Sequence, residues 1–238
     1  MESNQGLYHP SFERDACGIG FVANIKGNKS HQIISDALTI LENMEHRGAC
    51  GCESNTGDGA GIMIQTPHEF FFDECIRLGI HLPAYGKYGV GMLFFPRDIM
   101  LKEECRDIFN RAAEKLGLEI LGYRKVPVNP EGLGNTALSV EPEMEQVFVA
   151  SPDHISNPED FERKLFILRN YSSHTIANTV KKDPIGFYVS SLSYKTVVYK
   201  GQLTSLQVRD YFPDLRNNRV VSAFGLIHSR FATNTFPS

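Results

Sequence analysis

A chain of 238 residues, 42% hydrophobic, can bury a substantial core as one large domain or two small ones. Its formal net charge of -4 gives no electrostatic reason to expect nucleic acid or an anionic membrane as a partner. No run approaches the roughly 18 apolar residues that span a bilayer, and five cysteines, an odd number, argue against a disulfide framework and suit a reducing cytoplasm.

In chain order, residues 1–16 (MESNQGLYHPSFERDA) are polar, broken by Pro10 and free of apolar periodicity. They also lack the cationic start and apolar stretch of a secretory signal. Residues 17–25 alternate loosely and predict a strand. From His31 to Met44 apolar positions fall at helical spacing, with Ser30 as a cap and Gly48 as a stop. "TGDGAGIMIQTP" predicts a glycine-rich turn into a second strand, and "KYGVGMLFFP" a third. Residues 98–116 read as an amphipathic helix ending at Gly117. "LEILGYRKVPV", "EQVFVA", "KLFIL", "GFYVSSLS", "KTVVYKG" and "VVSAFGLIHSR" read as further strands, with a short helix around 171–181. Residues 128–143, poor in periodicity and broken by Gly and Pro, read as a surface excursion rather than a domain linker. This inventory of roughly nine strands and three or four helices, with hairpin-like spacing, fits an α+β domain of packed antiparallel sheets under helical outer layers.

The chemistry-bearing motifs are fewer. Cys50-Gly51-Cys52 has no second pair or neighbouring His to complete four ligands and is not the CxxC of redox sites, so no metal site is expected. Cys75 and Cys105 sit inside helical patterns and read as small core residues. The glycines of "EHRGACGCESNTGDGAGI" lead into a strand rather than opening a helix, against a phosphate-binding loop; they predict a tight turn that brings backbone close to something. In "GLIHSRFATNTFPS" Arg230 closes a strand, where a guanidinium can capture a carboxylate through two parallel hydrogen bonds. Ser229 cannot easily use His228 as its base, because adjacent strand residues point to opposite faces.

Taken together, "ACGIGFVANIKG", "EHRGACGCESNTGDGAGI" and "HSRFATNTFPS" resemble the class II (N-terminal-nucleophile) glutamine amidotransferase domain that opens the large subunit of glutamate synthases. The resemblance runs from Cys17 to Ser238 and implies a four-layer αββα sandwich. It implies that residues 1–16 are a propeptide and 17–238 the N-terminal part of the amidotransferase domain. Cys17 then corresponds to the nucleophile, Arg230 to the arginine that grips the α-carboxylate of L-glutamine, and Thr233 to a neighbouring substrate contact. Arg47 corresponds to a pocket-shaping residue, although a helix-end arginine paired with a carboxylate fits it equally. The implied reaction is hydrolysis of glutamine to glutamate and ammonia, the ammonia passing to 2-oxoglutarate.

No cofactor is expected in this segment. FMN and an iron–sulfur cluster are implied for the remainder of a full-length enzyme, together with a synthase domain and a reductase subunit or ferredoxin as partners. In the family an Asn-Gly pair forming the oxyanion hole follows the "TFPS" motif, so residues 1–238 alone are expected to be poorly active, since one lost oxyanion donor costs on the order of 10²–10³ in rate. Two alternatives stand beside this reading: the glutaminase domain of another class II amidotransferase, making amino sugars or purines, and a non-catalytic remnant.

Overall fold

The structure, a computed structural model, describes residues 18–47, 53–181 and 186–229. Eight strands among them form two four-stranded antiparallel sheets. The first has the order β1-β8-β2-β7, built from β1 (Gly18–Ala23), β2 (Ala60–Gln65), β7 (Thr196–Gly201) and β8 (Phe224–Ser229). The second has the order β4-β5-β3-β6, built from β3 (Tyr88–Phe95), β4 (Glu119–Lys125), β5 (Glu143–Ala150) and β6 (Tyr188–Ser193). The α+β architecture expected from the hairpin-like spacing is the one observed.

Helix α1 (His31–Asn43) packs on the first sheet through Ile34, Ala37, Leu38 and Leu41. It can come this close because Gly225 faces it: a Cβ there would stand 2.6 Å from the Ala37 Cβ. Ser30 precedes the helix as expected but makes no side-chain cap. Its backbone bridges Ser222 instead, donating to the Ser222 carbonyl at 3.0 Å. Helix α3 (Ile99–Lys115) begins with a true cap, the Asp98 carboxylate accepting from the Met100 and Leu101 amides.

One expected strand is not a strand. "KLFIL" lies in the middle of α5 (Pro158–Thr179), a 22-residue helix capped by Asn157 that also absorbs most of the short helix expected near 171–181. The run misleads because the four residues after Lys164 are all apolar, whereas only Leu165 and Leu168 are buried. They join Phe161, Ser172 and Ile176 on one helical stripe, leaving Phe166 and Ile167 exposed. Helices α3 and α5 together cover one face of the second sheet, enclosing Leu93, Phe95, Val147 and Val149. Residues 128–143 are likewise more than a surface excursion. They carry α4 (Asn135–Val140) and insert Leu133 and Ala137 into the main core, beside α2 (His68–Arg77).

The two sheets are tied by a buried charge. Arg124 of β4, 4% exposed, holds Asp214 with both terminal nitrogens (2.8 and 2.9 Å). It also donates to Glu74 of α2 and to the Gln146 amide oxygen, and it lies 5.2 Å from the centre of the Phe70 ring. Tyr199 of β7 donates to Asp214 and accepts from Gln146, both at 3.0 Å. Burial pulls the Arg124 pKa down, but the Asp214 hydrogen bond and charge outweigh it and hold the guanidinium ionised. Burial, then the Asp214 charge, pushes the Tyr199 phenol well up, so it stays a neutral donor.

Arg124→Leu strands the Asp214 carboxylate without its partner, and removing one member of a buried pair costs about 3–5 kcal/mol. Arg163→Ala, which breaks an exposed pair with Asp160 on α5, is expected to cost about 0.2–1 kcal/mol at most. Denaturant unfolding of the two variants checks the contrast.

Candidate active site

All four strands of the first sheet meet on one terminal row. Gly18, the first residue of β1, pairs with Ser229, the last of β8; Ser229 pairs with Ala60, the first of β2; and Ala60 pairs with Gly201, the last of β7. The site residues expected from sequence attach to this row. Cys17, Arg230 and Thr233 lie outside the described residues, but Cys17 is bonded to Gly18 and Arg230 to Ser229, so the chain enters and leaves the sheet at neighbouring positions. Arg47 closes the short 3₁₀ turn Glu45–Arg47, and its side chain is likewise outside the described residues. Cys50 and Cys52 are outside them as well.

The glycine-rich turn leads into Ala60 on the same row. What the backbone approaches there is residues 203–204: a Cβ on Gly57 would stand 2.2 Å from the Leu203 carbonyl oxygen and 2.5 Å from the Thr204 nitrogen. Two further loops hold this turn. The Glu53 carboxylate accepts from the Thr56 hydroxyl at 2.8 Å and the Thr136 amide at 3.1 Å, and the Gly134 amide donates to the Asn55 carbonyl at 2.9 Å. The Thr136 amide first, then the Thr56 hydroxyl, hold the Glu53 carboxyl below its usual pKa. On the other side the Gln207 side-chain nitrogen donates to Asn55 and Gly132 carbonyls (2.9 and 2.8 Å), while its oxygen accepts from the Thr204 amide at 2.8 Å. None of these supporting residues was legible in the sequence. Gln207 lies 152 and 75 positions from the carbonyls it holds, and no local motif marks it.

The remaining nucleophiles near the row are spoken for. The Ser229 hydroxyl is buried and 2.9 Å from the Ser205 hydroxyl. His228 belongs to the opposite face of β8, where burial, then the Lys200 charge, lowers its pKa. Burial pushes the Cys75 thiol up to about 12 and the Cys105 thiol to about 11, so both are inert at neutral pH, as their helical placement predicts. Among the described residues no group of three His, Cys, Asp or Glu could hold a metal ion, and no helix is long and apolar enough to cross a membrane.

The described part of the candidate site is therefore a row of strand ends with the glycine-tight 53–59 turn leading into it. Comparison with known proteins gives the class. The family of class II glutamine amidotransferases matches residues 17–238, and the chain belongs to it. That family has the N-terminal-nucleophile hydrolase fold, so the two sheets and their helices are an instance of it. More particularly, the chain is similar to glutamate synthases. It is 46% identical over 239 residues to glutamate synthase [NADH] of Schizosaccharomyces pombe, 42% over 238 to the glutamate synthase [NADPH] large chain of Bacillus subtilis, and 41% over 227 to chloroplastic ferredoxin-dependent glutamate synthase 2 of Arabidopsis thaliana. These alignments cover 98%, 100% and 94% of the chain but only 11%, 15% and 14% of the relatives' lengths.

Because the atoms a Gly57 Cβ would meet are backbone atoms of Leu203 and Thr204, Gly57→Ala cannot be absorbed by a rotamer change. Overpacking of this kind costs about 1–3 kcal/mol, and thermal unfolding is expected to shift downward by roughly 2–4 °C for each kcal/mol in a chain of this size. An unshifted unfolding midpoint would show that the turn does not press on residues 203–204.

Proposed function

We propose that this chain is the glutaminase domain of a glutamate synthase, hydrolysing L-glutamine at Cys17 after removal of residues 1–16. One observation carries the reading: the family match begins at Cys17, and the residue after it pairs across the sheet with the residue before Arg230.

Cleavage between Ala16 and Cys17 frees an α-amine of pKa about 8, near enough to neutrality to take the thiol proton directly or through water. One residue thereby supplies nucleophile and base. The thiolate attacks the side-chain amide carbon of glutamine, the collapsing intermediate expels ammonia, and water hydrolyses the resulting glutamyl thioester. Arg230 holds the substrate α-carboxylate in a bidentate grip, Thr233 adds a polar contact, and Arg47 shapes the pocket.

In the full-length enzyme a synthase domain would receive the ammonia for glutamate formation from 2-oxoglutarate, and FMN and an iron–sulfur cluster held outside this segment would supply the redox chemistry. A reductase subunit or ferredoxin supplies the electrons; the relatives' names include NADH, NADPH and ferredoxin forms. The cysteine content supports a cytoplasmic location.

Cys17→Ser in the full-length protein is expected to abolish glutamine-dependent glutamate formation while leaving slow synthesis from external ammonia, and the intact mass of the mature wild type is expected to begin at Cys17. Normal glutamine turnover in that variant, or an active enzyme with residues 1–16 still attached, would overturn the assignment. Arg230→Lys keeps the charge but loses the paired geometry, and glutamine binding is expected to weaken by about 1.5–3 kcal/mol, the usual worth of hydrogen bonds to charged groups. Steady-state kinetics on glutamine reads it.

A further inference from the structure

The supporting loops single out one side chain. We infer that Gln207 is a positioning residue for glutamine binding: by holding the Asn55 carbonyl it fixes the 53–59 turn against the end of the first sheet, beside the points where Cys17 and Arg230 attach. The inference rests on the glutaminase reading above.

The geometry uses the primary amide fully. Both hydrogens of the Gln207 side-chain nitrogen are donated, one to Asn55 and one to Gly132, and its oxygen accepts from Thr204. Three loops therefore converge on one planar group. Residues 53–59 run directly into Ala60 on the terminal row, residues 130–136 close over them through the Gly134–Asn55 bond, and residues 203–204 lie beneath Gly57. Asparagine carries the same amide but is one methylene shorter. Glutamate keeps the acceptor but puts a carboxylate against two carbonyl oxygens, and methionine keeps the length while giving up all three bonds. The residue is also backbone-anchored, its own carbonyl accepting from the Tyr211 amide at 2.8 Å as α6 (Val208–Tyr211) begins.

The test compares Gln207→Met and Gln207→Glu with the wild type in the full-length enzyme, by glutamine kinetics and by amide hydrogen exchange at Gly134, whose hydrogen bond to Asn55 reports the clamp. Gln207→Met is expected to raise KM for glutamine about tenfold with kcat nearly unchanged, equal to about 1.4 kcal/mol, together with faster exchange at Gly134. In Gln207→Glu the two carbonyls raise the carboxyl pKa, so the variant's KM relative to wild type is expected to be largest near about pH 8 and to shrink toward about pH 5 as the protonated acid regains one donor. That pH-dependent recovery would not accompany a merely structural defect, and it reads the clamp even if the methionine variant folds poorly. Faster exchange with unchanged KM in both variants, or a KM ratio flat with pH, overturns the proposal. A wild type that releases no ammonia from glutamine overturns the glutaminase reading, and this inference with it.

Discussion

The paired charges of Arg124 and Asp214 are the constraint on which the rest of the architecture depends. A guanidinium that is 4% exposed is tolerable only if its donors find acceptors, and here they find Asp214, Glu74 and Gln146. Those acceptors come from a 3₁₀ turn, a helix and a strand far apart in sequence, so satisfying one cation fixes the relative placement of all three. Tyr199 extends the network onto β7 of the other sheet. It sits two residues before Gly201, the β7 member of the terminal row, and pairs across to Ile62, two residues after Ala60. The buried network therefore sets the height of the row at which the candidate site is built.

How much of this was legible follows from the range of the forces involved. All eight strands are readable as short apolar or alternating runs, from β8, where buried and half-buried residues alternate, to β3, which is buried on both faces. In helix α5 the sequence pattern is ambiguous, since Phe166 and Ile167 are apolar yet face outward, making a helical stripe look like a continuous strand run. The site divides in the same way. Cys17, Arg230 and the glycine turn stand in local motifs whose chemistry is visible in the letters. Glu53, Thr136 and Gln207 act through bonds spanning 75 to 152 positions, for which a single sequence has no signal.

The described cysteines make the proposed nucleophile more intelligible. Cys75 and Cys105 are fully buried, and burial above all, with a smaller push from Glu74 and Glu104 respectively, raises their thiols far above neutrality, so the core denies them thiolate character. A reactive cysteine has to stand elsewhere, where a base can reach it. Among the described residues near the terminal row, the Ser205 and Ser229 hydroxyls are hydrogen-bonded to each other, and burial, then the Lys200 charge, lowers the His228 pKa. An α-amine generated in place meets the need without any further side chain, which is why a nucleophile at the head of β1 suits this particular sheet.

The position of β1 in the sheet also bears on how such an amine could be uncovered. Among the described strands β1 is the edge of the first sheet, paired with β8 on one side only. Its ladder begins at Gly18, so cutting the peptide bond before Cys17 breaks none of the described strand pairs. Had the nucleophile stood at the head of β2, between β8 and β7, chain preceding it would have had to leave from between two neighbours. An edge position would let a leader be removed while the six-residue ladder from Gly18 to Ala23 keeps Gly18 paired with Ser229. The same ladder holds the start of β1 in register with the end of β8, and so relates the attachment point of the proposed nucleophile to that of the proposed carboxylate-binding arginine. Under the proposed function, leader removal and substrate recognition place the same demand on the sheet, and one antiparallel strand pair meets both.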